Sequence, residues 1–109
     1  MKYLPRPEGI HSVNCYLTVE GAWRVIEFLQ AAFSATEVER HLTPDGKIVH
    51  ASVRIGDSIV MLGDAGEAAR TRPTNLTVYP DNVDAAYQRA LAAGASRCVN
   101  RWTPFMAIV

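Results

Sequence analysis

The chain has 109 residues, 49% of them hydrophobic, with eleven basic and eleven acidic side chains and a formal net charge of zero. That length suits a single domain over 1–109 with a modest core, one that a partner subunit would help to complete. Balanced charge without a basic block gives no electrostatic case for nucleic acid, and no apolar run approaches the ~20 residues that span a bilayer.

Residues 1–10 are rich in proline and charge and read as an extended arm. They lack the apolar core of a signal peptide, so the cytoplasm is the expected location. From Val13 to Glu20 the chain alternates: Val13, Cys15, Leu17 and Val19 are expected on one face, Asn14, Tyr16, Thr18 and Glu20 on the other. Period two with one polar face predicts a half-buried strand. From Ala22 to Phe33 the period becomes helical, with Ala22, Ile26, Leu29 and Phe33 as the buried stripe and Trp23 off it.

Residues 36–42 and 47–55 flank Thr43-Pro44-Asp45-Gly46, a turn sequence that predicts a hairpin. In its second strand Val49, Ala51, Val53 and Ile55 are expected to face inward, with Ile48, His50, Ser52 and Arg54 opposite. Gly56-Asp57 turns into a fourth strand over 58–62. Residues 63–73 are small, charged and aperiodic, and read as a linker. Asn75–Tyr79 is strand-like, with Thr77 and Tyr79 on its polar side. Asp81 or Asn82 caps a second helix over Val83–Ala93, Gly94 ends it, and Ala95–Val99 is a candidate sixth strand. The order is β-α-β-β-β, linker, β-α-β, an α+β class: one complete βαβββ module over about 11–65 and an incomplete second one over about 74–109.

The segments PEGIHSVNCYLTVEGA, EFLQAAF, TPDGKIVHASVRIGDSIVML and VDAAYQRALAAGA, in that order and spacing, resemble the PhnB-like branch of the glyoxalase/bleomycin-resistance/dioxygenase superfamily, the vicinal oxygen chelate proteins. The resemblance covers roughly residues 5–96. It implies two βαβββ modules, each curled into a half-barrel around a cavity, and dimers with paired or exchanged modules. Metal-using members hold a divalent ion with His, Gln or Glu from the first and last strands of each module. The matching positions here fall on Asn14, on or beside Met61, and on Asn75 or Thr77. None of these is a strong donor, so no metal and no other cofactor is expected. Relatives also continue further past the second helix, so the short tail here implies that the second half-barrel does not close by itself. A homodimer with shared or exchanged strands is the expectation, its unpaired strand edge and the apolar run Phe105–Val109 being the warrant.

Among individual residues, His50 is the strongest candidate. With Ser52 and Arg54 it is expected to line a polar pocket, and a neutral imidazole there suits a base. Arg54 offers a fork for an anion; Tyr16 and Tyr79 offer rings with polar tips. Asn14, Met61 and Thr77 complete the candidate set. Each also has an ordinary structural reading, as a hydrogen-bonded strand residue or a core edge. His41 is expected on the surface of an edge strand, and His11 as an anchor of the arm. Asp57 and Asp64 flank the fourth strand without forming a recognisable acid pair. Cys15 and Cys98 lack metal spacing and are expected to be small buried residues. Three functions compete: a metal-free small-molecule binding protein with a dimeric cleft, a metal-dependent enzyme acting on a small oxygenated metabolite, and a non-catalytic assembly module.

Overall fold

A computed structural model describes residues 8–66, 70–71, 74–96 and 106–108. In chain order these form β1 (Cys15–Val19), α1 (Ala22–Phe33), β2 (Thr36–Leu42), β3 (Ile48–Ile55), β4 (Ser58–Asp64), β5 (Leu76–Val78), α2 (Val83–Ala92) and β6 (Met106–Ile108). The first four strands make one mixed sheet in the order β1-β4-β3-β2. β2, β3 and β4 run as an antiparallel meander, and β1 closes the sheet by pairing parallel to β4, Tyr16 opposite Met61 and Leu17 opposite Leu62. This is the α+β βαβββ arrangement that the order of elements predicts.

α1 lies against one face of the sheet because its stripe of Ala22, Ile26, Leu29, Ala32 and Phe33 is apolar and buried. It meets Leu17, Ala51, Val53, Val60 and Leu62 from the strands in one cluster. Fully burying an aliphatic side chain such as Ile26, Leu29 or Leu62 is worth roughly 1.5–3 kcal/mol. Phe28, half-buried, meets Phe33 edge to face at 6.4 Å. α2 packs on α1 through Ala86 and Ala90. The Arg89 Nε–H donates to the Ala32 carbonyl at 3.1 Å, supplying one of the partners that a helix end lacks.

Several expectations change. β1 begins at Cys15, and Val13 is 88% exposed because Asn14 and His11 close a turn just before the strand. Cys15 is half-buried, and Cys98 lies outside the described residues. Val49 points out, 55% exposed, and Ile48 is buried in its place at 2%. The reason is a slip of pairing: His41 stands opposite His50 but Leu42 stands opposite Ile48, so Val49 is an extra residue that reverses the alternation. A matching slip occurs at Val38 on β2. β4 continues through Gly63 and Asp64, so the linker begins later than the composition indicates.

In the second part, Asn82 caps α2 by accepting from the Ala85 N–H at 3.0 Å. Ala86, Tyr87 and Ala90 are buried on it, while Val83 and Leu91 are half-buried. Ala95 and Ser96 are not in a strand, and 97–99 lie outside the described residues. The strand that pairs with β5 is β6 from the tail, antiparallel, with Thr77 opposite Ala107.

Candidate functional site

Strand alternation gives the first sheet two unlike faces. One is sealed by α1. The other carries Tyr16 from β1, Met61 and Gly63 from β4, His50, Ser52 and Arg54 from β3, and Glu39 and His41 from β2. Its geometry starts at Gly63. A Cβ at that position would lie 2.6 Å from the Tyr16 hydroxyl and 2.6 Å from the Val49 carbonyl oxygen, so the tyrosine or the strand would have to shift. The missing side chain lets Tyr16 lean from β1 across β4 to β3, where its hydroxyl donates to the Val49 carbonyl at 3.1 Å. That carbonyl belongs to the extra residue of the slip, where the regular ladder is interrupted. One tyrosine therefore ties an irregular strand to its second neighbour.

The lean of Tyr16 brings its ring beside His50, centroids 5.7 Å apart with planes tilted by 30°. His50 in turn lies beside His41 of β2, at 6.1 Å and 34°. Glu39 stands between the two imidazoles: its carboxylate oxygens lie 3.4 Å from His50 Nε2 and 3.5 Å from His41 Nε2, forming ion pairs when the imidazoles are protonated. All three rings remain accessible, with Tyr16 47% exposed and the side chains of His50 and His41 30% and 65% exposed. Ser52, flanked in register by Glu39 and Met61, is buried.

The sequence-predicted residues divide between two places. Tyr16, His50 and Met61 share the open face. Arg54 is on it too, but at its far end, where it stands opposite Ile59 and lies under the backbone of Gly9. The Ile59 N–H donates to the Gly9 carbonyl at 3.2 Å, which fixes that crossing. Asn14, Thr77 and Tyr79 instead line an open cleft of about 720 Å³ between the β3–β4 turn and the segment from β5 to α2. The Asn14 amide is engaged at both ends: its oxygen accepts from the His11 N–H and its nitrogen donates to the His11 carbonyl, each at 2.8 Å. His11 thus anchors the arm through its backbone.

Sequence reading missed four residues, Glu39 among them. His41 is exposed as expected, yet strand register sets it opposite His50 with Glu39 from its own strand beside both. Gly63 and Asp64 lay in what reads as linker. Asp64 is the joint between sheet and helix. α1 starts at Gly21, which has no side chain to cap it, and Asp64 does so from β4, accepting from the Ala22 N–H at 2.8 Å. Its other oxygen accepts from the Ile48 N–H at 2.7 Å, beyond the last ladder pair of β3 and β4. Partial burial pushes this carboxyl up, but the backbone N–H groups of Ala22, Ile48 and Gly21 and the charge of Lys47 outweigh it and hold it below its ordinary value.

The positions where the resemblance would put a metal do not suit one. Asn14 has its amide committed to a turn, Met61 offers only a soft thioether, and Thr77 offers a hydroxyl. Asn14 and Thr77 line the cleft, whereas Met61 does not. Among the described residues, no group of three or more His, Cys, Asp or Glu has the geometry of a metal site. Nor is any described helix long and apolar enough to cross a membrane.

No protein-family model matches the chain. It is 41% identical to the uncharacterized protein Mb0911c of Mycobacterium bovis, in a match covering 78% of this chain and 63% of that one. The match to the uncharacterized protein Rv0887c of Mycobacterium tuberculosis has the same identity and covers 56% of that protein. The chain thus spans less than two thirds of the length of these relatives. Among solved structures it resembles TioX from Micromonospora sp. ML1, with a TM-score of 0.56, 24% identity and 84% of this chain and 80% of that one covered. It resembles a PhnB protein from Bacillus cereus at 0.57 and 16%, covering 72% of each chain. FosX, a fosfomycin resistance protein of Listeria monocytogenes, aligns at 0.59 and 16%, covering 80% and 74%. Sheet order, crossover and these likenesses agree: the chain has the fold of the glyoxalase/bleomycin-resistance superfamily.

Proposed function

We propose that the protein binds a small organic molecule on the open face of its first sheet, without a metal, and does so as a homodimer. The observation that carries this reading is the contrast across the sheet. The helix side is closed by aliphatic packing, while the other side holds accessible rings and charged groups already fixed by mutual contacts. The fold is compatible with such a role, though a fold alone does not assign one. The dimer is supported by β2, an edge strand with almost no burial, and by exposed Val38, Leu42 and Val49 beside it. A second copy there gives the binding face its missing wall.

One neighbour keeps a second reading in view. A FosX mutant has been crystallised with Mn(II) and a dihydroxypropylphosphonic acid, so a metal-dependent activity on a small oxygenated compound is the competing function. Manganese titration with metal-content analysis separates the two. The binding-protein reading expects no stoichiometric metal, together with ligand-induced shifts of Tyr16, His50 and Met61 signals in an NMR screen of a mixed fragment library. Stoichiometric manganese that is lost on His50→Ala overturns it.

A further inference from the structure

Resting on that reading, we infer that Tyr16, His50 and His41 form a stacking platform, and that the part of the ligand they recognise is a flat aromatic ring system. The argument is geometric. The rings come from three different strands yet stand side by side at 5.7 and 6.1 Å, with tilts of only 30° and 34°. Each keeps part of its ring open to solvent: Tyr16 is 47% exposed, and the His50 and His41 side chains are 30% and 65% exposed. Each is held near its tip: the Tyr16 hydroxyl donates to the Val49 carbonyl, and the Nε2 atoms of His50 and His41 lie 3.4 and 3.5 Å from the Glu39 carboxylate. The exposed parts of three neighbouring rings are what they offer a ligand together, and side chains held near their tips lose little freedom when something is laid on them. Faces of this kind select for a planar π-system and are tolerant of its detailed substitution. Nothing in the arrangement favours a saturated skeleton of the same size, which gains apolar contact but no stacking.

The probe pair is 2-naphthoate and decahydro-2-naphthoate, equal in charge and carbon skeleton and different in planarity. Binding to the intact chain is followed by naphthalene fluorescence and by NMR. The expected result is saturable binding of the aromatic acid, at least about tenfold tighter than that of the saturated one. His41→Ala, His50→Ala and Tyr16→Leu each weaken it by about tenfold, and Tyr16→Phe, which keeps the ring, weakens it far less. His41 is exposed, so its replacement leaves folding intact; unchanged thermal unfolding checks the others. Equal affinity for the two acids, indifference to the three ring deletions, or no saturable binding overturns the platform. If fragments without rings still shift Tyr16 and Met61 signals, the small-molecule function survives and only the aromatic preference falls. An apparent affinity that drops as protein concentration rises means that a second copy covers the rings, which also overturns the inference.

Discussion

The two faces of the first sheet are made by the same strands and held by different physics. On the helix side Leu17, Ala51, Val53 and Leu62 are buried against Ile26 and Leu29, and the stabilisation scales with apolar area. On the open side there is little area to bury. Order there comes from directional contacts: one hydroxyl on one carbonyl, one carboxylate between two imidazoles, and one glycine that leaves room. The first face tolerates approximate shape and fixes the fold. The second depends on register, because Tyr16–Val49, His50–Glu39 and His50–His41 join residues brought together by strand pairing.

Five substitutions, one of them made on the background of another, test this contrast. The largest effect is expected on the sealed side: Ile26→Ala, fully buried, should cost about 2–5 kcal/mol in urea unfolding. A cost below about 1 kcal/mol would break the claim that this face carries the stability. Next comes the joint, Asp64. Asp64→Asn should cost about 2–3 kcal/mol at neutral pH, since it weakens two charge-assisted hydrogen bonds. Because the folded carboxyl titrates below its ordinary value of 3.8, its contribution is fully present above that value and is lost as pH falls through the lowered one. The variant should therefore show a flatter acid limb in a stability–pH profile. An unchanged limb would remove Asp64 from the account.

Gly63→Ala sharpens the contrast on the open side. The added Cβ meets both the Tyr16 hydroxyl and the Val49 carbonyl, so a loss of about 1–3 kcal/mol is expected, with a changed near-ultraviolet tyrosine signal. Adding Tyr16→Phe should recover part of that loss, because one of the two collisions disappears. No recovery would mean that the backbone contact alone decides. The smallest effect is a gain. Ser34 ends α1 at φ 57°, in the left-handed region. Ser34→Gly should relieve that strain and stabilise the chain by up to about 1 kcal/mol, partly offset by the entropy of glycine. Thermal unfolding reads it, and 2-naphthoate affinity should stay unchanged.

Much of the fold was legible in the residues. α1 has the predicted limits because Ala22, Ile26, Leu29 and Phe33 set its period, and Asn82 marks the start of α2 because its side chain suits a cap. The errors fell where period gives no warning. An extra residue at Val49 cannot be seen in a run of aliphatic side chains, and it reversed the faces of Val49 and Ile48. Small and acidic composition made Gly63 and Asp64 look like linker, although one is the space that Tyr16 needs and the other is the cap that Gly21 lacks. Alternation put Tyr16 and His50 on the polar faces of their strands, and both lie on the open face of the sheet. Their grouping with Asn14, Thr77 and Tyr79 was not kept, since those three line a different cleft.

Local pattern determined the elements, their order and the apolar side of the sheet, because hydrophobic period and turn chemistry act over a few neighbouring residues. Which polar residues meet was decided only in three dimensions. Glu39 and His41 meet His50 through the register of one hairpin, and Tyr16 reaches Val49 from a strand far away in the chain. A one-residue change of register would undo all of them without altering the composition of any strand.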